Sequence, residues 1–122
     1  MSARSTDART RALLDRVRDR LPTGASVREV SMFGAVAVMV DDSMVVAVHK
    51  DHSLLVRVTP DDDADLGRRE EASRAEMGAG RSMGTGWLRV DAAAVEADAV
   101  LDLWVGAALR RLRDGSPSEG TS

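Results

Sequence analysis

The sequence predicts an α+β fold in which helices pack on one antiparallel sheet. Apolar residues recur at helical spacing near both ends of the chain, and four short runs rich in β-branched residues lie between residues 26 and 58. The links between these runs are far shorter than the crossover of about a dozen residues that a parallel pair needs. We therefore expect an antiparallel meander and the element order α-β-β-β-β-α-β-β-α.

The first helix is expected from Asp7 to Leu21, because Ser5 or Thr6 suits its N-cap and Pro22 with Gly24 stops it. The four strands that follow are Ser26–Met32, Ala35–Val40, Met44–His49 and Leu54–Val58. The second strand is apolar on both faces, with valines on one and two alanines and a methionine on the other. That pattern is typical of a sheet centre or a subunit contact.

The second half of the chain adds a short helix, two strands and a final helix. Thr59 as N-cap and Pro60 at the first position predict the start of the short helix. The predicted elements are a helix from Pro60 to about Leu66, a charged connection Arg68–Arg74, an edge strand Ala75–Met77, a strand Gly86–Val90 and a helix Ala97–Arg113.

Length and composition fit one domain. The chain has 122 residues, and we expect the domain over residues 7–114, between disordered tails at 1–6 and 115–122. It contains no cysteine, which excludes disulfides and thiolate metal sites. Since no signal segment or membrane-spanning apolar run is present, we expect a cytoplasmic protein without membrane contact.

Motifs for catalysis and cofactor binding are incomplete. A calcium loop starting at Asp61 would need a glycine where Leu66 stands, and the glycines of residues 78–86 lead into a strand, whereas a phosphate-binding loop opens a helix. His49 and His52 flank one hairpin, and a metal site there would need both imidazoles to converge with a third ligand such as Asp51. We expect no enzyme activity, no cofactor and no metal.

Basic residues supply the candidate binding sites. The candidate binding surface consists of Arg57, Arg81, Trp87 and His49. An alternative hypothesis is a small-anion or enzymatic site in which Arg57, Arg81 and His49 surround the loop at 78–86. A weaker alternative is direct DNA binding by the flank of the first helix, Arg9, Arg16 and Arg20. The net charge of -3 and the interleaved Asp15 and Asp19, which can pair with those arginines, argue against it.

Several short motifs occur in the order of a known family. They are Met32-Phe33-Gly34, Thr59–Asp62, Arg81–Met83, Gly86-Trp87 and the final helix around Trp104. In this order the chain resembles the N-terminal domain of the TfoX/Sxy family from about Arg9 to Arg113. The resemblance implies the secretion-chaperone-like arrangement, an antiparallel sheet with helices on one side.

The resemblance also implies roles for single residues. Phe33 would anchor the first hairpin, Gly34 would adopt a turn conformation barred to other residues, and Trp87 or Trp104 would cover the sheet. The chain departs from the family at Ala35, where members often have glycine. We also expect it to lack the C-terminal helical domain of the competence regulators, because only the predicted tail follows residue 114. The lack of that domain would weaken the implied link to competence and transcription regulation.

We therefore expect a non-enzymatic regulatory or protein-binding module that acts through a sheet face or a helix surface. Its protein partners are not named by the sequence, and a homodimer is the form we expect. Nucleic-acid binding by the domain alone is not expected.

Overall fold

Six antiparallel strands and four helices are present in the computed structural model, which describes residues 8–32, 34–75 and 84–114. The elements are α1 (Ala8–Arg18), β1 (Val27–Met32), β2 (Ala35–Val40), β3 (Ser43–Val48), β4 (Leu54–Arg57), α2 (Pro60–Leu66), β5 (Ala72–Arg74), β6 (Trp87–Val90), α3 (Ala92–Val95) and α4 (Asp98–Asp114). The strands form one sheet in the order β1-β2-β3-β4-β6-β5. The predicted fold class and element order are confirmed, and α3 is a one-turn addition before the last helix.

The helix ends follow local chemistry. α1 ends at Arg18 rather than at Leu21, because the amides of Arg20 and Leu21 each donate to a carbonyl three residues earlier and so tighten the last turn. α2 begins as predicted, since the Thr59 hydroxyl accepts from the amide of Asp62 at 3.0 Å.

The edge strand lies earlier than predicted. β5 is Ala72–Arg74, inside the segment that we expected to be a charged connection, and residues 76 and 77 of the expected strand lie outside the described residues. β5 contains no β-branched residue, so its own propensity did not indicate a strand. It forms because its backbone pairs with β6, with Ala72 opposite Val90 and Arg74 opposite Leu88.

The main core lies between the sheet and the helices. It joins buried residues of α1, α3 and α4 to the valines of β2 and β3 and to alternate residues of β4 and β6. Its largest member is Trp104, which is fully buried and donates its indole N–H to the carboxylate of Glu71 at 3.1 Å. Among the described helices, none combines the length and the hydropathy of a membrane span.

A smaller apolar cluster lies on the opposite side of the sheet, which we call the second face. Its buried members are Ala35, Ala37, Ala47, Leu55 and Ala75, and the partly buried Met39, Met44 and Trp87 pack against them. All of these residues lie in strands or directly follow one, so none of the described helices contributes to this cluster. As predicted, β2 places its valines in the main core and its alanines and Met39 on the second face.

The hairpin turn between β2 and β3 contains two non-glycine residues in the left-handed backbone conformation. Asp41 and Asp42 have φ of 50° and 71°, which is the left-handed pair that a two-residue type I′ turn requires. Asp42→Gly should raise the free energy of unfolding by about 0.5–1 kcal/mol, because glycine accepts this conformation without a Cβ clash. The ion pair with Arg28 that is lost with the Asp42 carboxylate is exposed and contributes little. Urea denaturation measures the change.

The neighbouring Asp41→Gly variant is the control. The Asp41 carboxylate accepts from the amide of Ser26 at 3.1 Å, so its removal offsets the backbone gain. A loss of stability in Asp42→Gly equal to that in Asp41→Gly would contradict the proposed strain at residue 42.

Candidate functional site

A buried carboxylate at the start of α2 organises one end of the sheet. Asp63 is only 7% exposed, although it belongs to a row of helix-start acids. It accepts two bonds from the guanidinium of Arg74, at 2.7 and 2.9 Å, and a third from the amide of Gly86 at 2.7 Å. We call these three residues the Asp63 latch. Such a bidentate, charge-assisted arrangement offsets the cost of burying the charge.

The latch fixes where β6 begins. Arg74 also donates to the carbonyls of Gly84 at 2.9 Å and Trp87 at 3.2 Å. Gly86 has a φ of 96°, and its carbonyl accepts from the amide of Val58 at 2.9 Å. A Cβ on Gly86 would lie 3.2 Å from the Val58 carbonyl oxygen, so glycine suits both the conformation and the close approach.

With β6 fixed in this way, Trp87 lies directly opposite Arg57 of β4 on the second face. The guanidinium carbon of Arg57 is 5.0 Å from the centroid of the Trp87 ring, within range of a cation–π interaction. Both side chains are half-buried. Burial lowers the pKa of Arg57, and the positive charge of Arg111 on α4 lowers it further.

His49 lies at the other end of β4. Its amide donates to the carbonyl of Ser53 at 3.0 Å, which places it about 13 Å along the strand from Arg57. Burial lowers the pKa of the imidazole, and the nearby charge of Asp51 opposes that effect. The structure therefore brings Arg57 and Trp87 together but keeps His49 apart from them, and Arg81 lies outside the described residues.

Asp51 shapes the surroundings of His49. Its carboxylate accepts from the amide and the hydroxyl of Ser53, at 2.9 and 2.6 Å, and from Arg89 at 2.5 Å. These bonds, those from Ser53 first, hold the pKa of Asp51 well below its usual range. Within the described ranges no group of three or more histidine or acidic side chains could hold a metal ion.

The arginines on the flank of α1 form ion pairs with carboxylates on or beside the last two helices. The ion pairs are Arg9 with Glu96, Arg16 with Asp98, and Arg20 with Asp98 and Asp102. The expected pairing of these arginines with Asp15 and Asp19 is wrong among the described residues, because Glu96, after α3, and Asp98 and Asp102 of α4 supply the carboxylates. Asp15 pairs with Arg11 instead. The flank thus fastens α1 to the last two helices.

A cleft of about 170 Å³ opens beside this flank, between α1, α3 and the turn that carries His52. Its floor is apolar, with Leu13 and Val95 among its residues. Arg16 reaches across one side and donates to the carbonyl of Val95 at 3.1 Å. Arg16, one of the basic side chains at the cleft, therefore already links α1 to α3.

The residues of the family motifs have mixed positions. Gly34 has a φ of 81°, and a Cβ there would lie 2.7 Å from Cε of Lys50. Trp104 is in the main core, while Trp87 is on the second face. Phe33 and the side chain of Met32 lie outside the part of the chain that is described.

Sequence reasoning missed Asp63 and Glu71 as fixed acceptors. Neither residue was a candidate: Asp63 is one of several acids near the start of α2, and Glu71 falls in the expected charged connection. A signal for Asp63 did exist in principle, since an acid in the fourth position of a helix that starts at Pro60 faces the same side as Leu66 and Gly67. Its partners are 11 and 23 residues away and give no local pattern.

A sheet with one face under helices and an apolar second face defines a small α+β domain. The family model described as TfoX N-terminal domain matches residues 19–112, which is most of the chain. The chain therefore belongs to the TfoX N-terminal domain family, and the resemblance is confirmed. Searches of curated proteins and of solved structures find no match.

The Asp63 latch makes a stability prediction. Asp63→Asn should lower the free energy of unfolding by about 2–3 kcal/mol at neutral pH, because Arg74 loses its charged acceptor. Asp61→Asn is the matched control, since Asp61 is exposed in the same helical turn and should change stability by less than about 0.5 kcal/mol. Urea denaturation measures both changes. Equal losses of stability in the two variants would contradict the proposed role of the Asp63 latch.

The latch also predicts a pH dependence. The hydrogen bonds from Arg74 lower the pKa of Asp63 in the folded state, so its contribution is complete above the ordinary aspartate pKa of about 4 and is lost as pH falls toward the folded value. The difference in unfolding free energy between wild type and Asp63→Asn should therefore shrink as pH falls from about 5 to 2. A constant difference across that range would contradict the assignment.

Proposed function

We propose that this domain is a non-enzymatic regulatory module that binds another protein through its second face. The observation that supports the proposal is the apolar cluster on that face, which has Met39, Met44 and Trp87 partly exposed above it. Contiguous apolar surface on a small domain commonly marks an interaction site.

The chemistry of the second face suits a protein partner. Met39 lies opposite Met44 in the β2–β3 pair, beside an irregularity in register at Val38 and Met39. Methionine side chains are flexible and polarisable, and they adapt to an apolar partner surface. The rim of the face carries Arg28, Arg57 and Arg89. An apolar centre with a charged rim is the usual anatomy of a protein interface.

We propose a second copy of the chain as the first partner. Two copies related by a two-fold axis would place the same apolar patch on each side of the contact, as an isologous interface requires. The positions of Arg57 and His49 at opposite ends of β4 support a binding role over a catalytic one. A role in competence or transcription regulation would then depend on what the dimer binds.

Light scattering up to high micromolar concentration tests the second copy. We expect a dimer for the wild type and a monomer for the double variant Met39→Thr, Met44→Thr, which keeps strand propensity but removes apolar surface. Leu103→Gln is the control, because Leu103 is also partly buried but lies on α4, on the other side of the sheet. Dimers in all three would place the contact elsewhere.

Affinity capture with the same three proteins tests any other partner. A partner of the second face is retained by wild type and Leu103→Gln and lost from the double variant. Thermal denaturation confirms that each variant is folded. The proposed function is overturned if the wild type is monomeric and no captured protein depends on the two methionines.

A further inference from the structure

The cleft beside the arginine flank of α1 combines an apolar floor with two opposite charges at its rim. Its apolar residues come from α1 and α3, and they are Ala12, Leu13, Ala92 and Val95. Leu13 and Val95 are buried and therefore lie at the bottom of the cleft. Arg9 and Glu96 line the same cleft with largely exposed side chains, which places a cation and an anion at its rim.

The two charges at the rim are only loosely held. Arg16, the other arginine of the cleft, donates to the carbonyls of Val95 and Glu96 at 3.1 and 3.2 Å and to the carboxylate of Asp98 at 2.7 Å. Arg9 instead forms a single long ion pair, with its Nη2 at 3.7 Å from Oε2 of Glu96 and the two side chains 65% and 71% exposed. Such a pair contributes little to stability, so a ligand can replace it at low cost.

We propose that this cleft binds a free α-amino acid with an aliphatic side chain, such as leucine. The carboxylate of the ligand accepts from Arg9, its ammonium group donates to Glu96, and its side chain lies on the apolar floor. An amino acid carries both charges on one carbon atom, and it can therefore replace both halves of an ion pair whose atoms already lie close together. A ligand with a single charge leaves either Arg9 or Glu96 without a partner.

The size of the cleft also indicates a small ligand. Its volume of about 170 Å³ is below the roughly 300–1,000 Å³ of pockets that enclose drug-sized molecules. A ligand of one amino acid suits this volume, and the ligand contacts α1 and α3 together. These helices belong to the main core and contribute nothing to the second face. The amino-acid site therefore does not require that the second face binds a protein.

A titration with L-leucine, followed by two-dimensional NMR at constant pH and ionic strength, tests the site. The amide signals of Leu13 and Val95 should shift in a saturable way, with a Kd on the order of a millimolar. The indole N–H signal of Trp87 is the internal reference, because Trp87 lies on the second face and should not move. Shifts that do not saturate, or that are equally large at Trp87, would overturn the site.

Three related ligands each remove one group that the proposal uses. Isocaproate lacks the ammonium group, leucinamide replaces the carboxylate with the uncharged amide found at the start of a polypeptide, and glycine lacks the side chain. Each should bind at least about tenfold more weakly than leucine. Equal binding of isocaproate or leucinamide would overturn the assignment to a free amino acid, and equal binding of glycine would overturn the role of the apolar floor.

Two sets of variants test the residues. Arg9→Gln and Glu96→Gln should each weaken leucine binding at least about tenfold, whereas Arg18→Gln, which removes a charge from α1 outside the cleft, should bind as the wild type does. Ala12→Leu fills the cleft and should abolish binding in a folded protein, because leucine is a good helix former. Ala93→Leu, at an exposed position of α3 outside the cleft, is its control. Equal affinity for leucine in all five variants would overturn the proposal.

Discussion

The geometry of this domain depends most on one buried carboxylate. Asp63 joins three segments that the chain order keeps apart, since it lies on α2, Arg74 ends β5, and Gly86 precedes β6. A buried charge needs several donors at once, and their positions are consequently constrained together. Because that constraint sets where β6 starts, it also sets which residue faces Arg57. The position of Trp87 opposite Arg57 therefore depends on the Asp63 latch and not on strand β6 alone.

Charge pairing plays a comparable part between the helices and the sheet. Arg11 of α1 makes two bonds to Glu29 of β1, at 3.0 and 2.6 Å, and these bonds hold the pKa of Glu29 below its ordinary value. α1 is fastened to α4 by the arginine flank, and α4 to α2 by Arg110. A single exposed ion pair contributes little to stability. Together, these pairs favour one packing of the helices over other packings that would bury similar apolar surface. Most arginines of the described residues therefore have a carboxylate partner.

Most of the fold could be predicted from local sequence signals, whereas contacts between residues far apart in the sequence could not. The bounds of β2 and the start of α2 follow from side-chain alternation and from a threonine cap before proline, which act within a few residues. β5 was misplaced because its strand character comes from pairing with β6. Arg57 and Trp87 were both candidates, yet their contact was not predictable, because β6 pairs with β4 only after α2 and β5 have intervened.

Trp87 lies where the apolar cluster of the second face meets a cation. One side of its surroundings is that cluster, and another is the guanidinium of Arg57. A protein that covers the second face would remove water from Trp87, which strengthens the attraction between its ring and Arg57. Because the Asp63 latch sets where β6 begins, it also sets whether Trp87 can take part in such a contact.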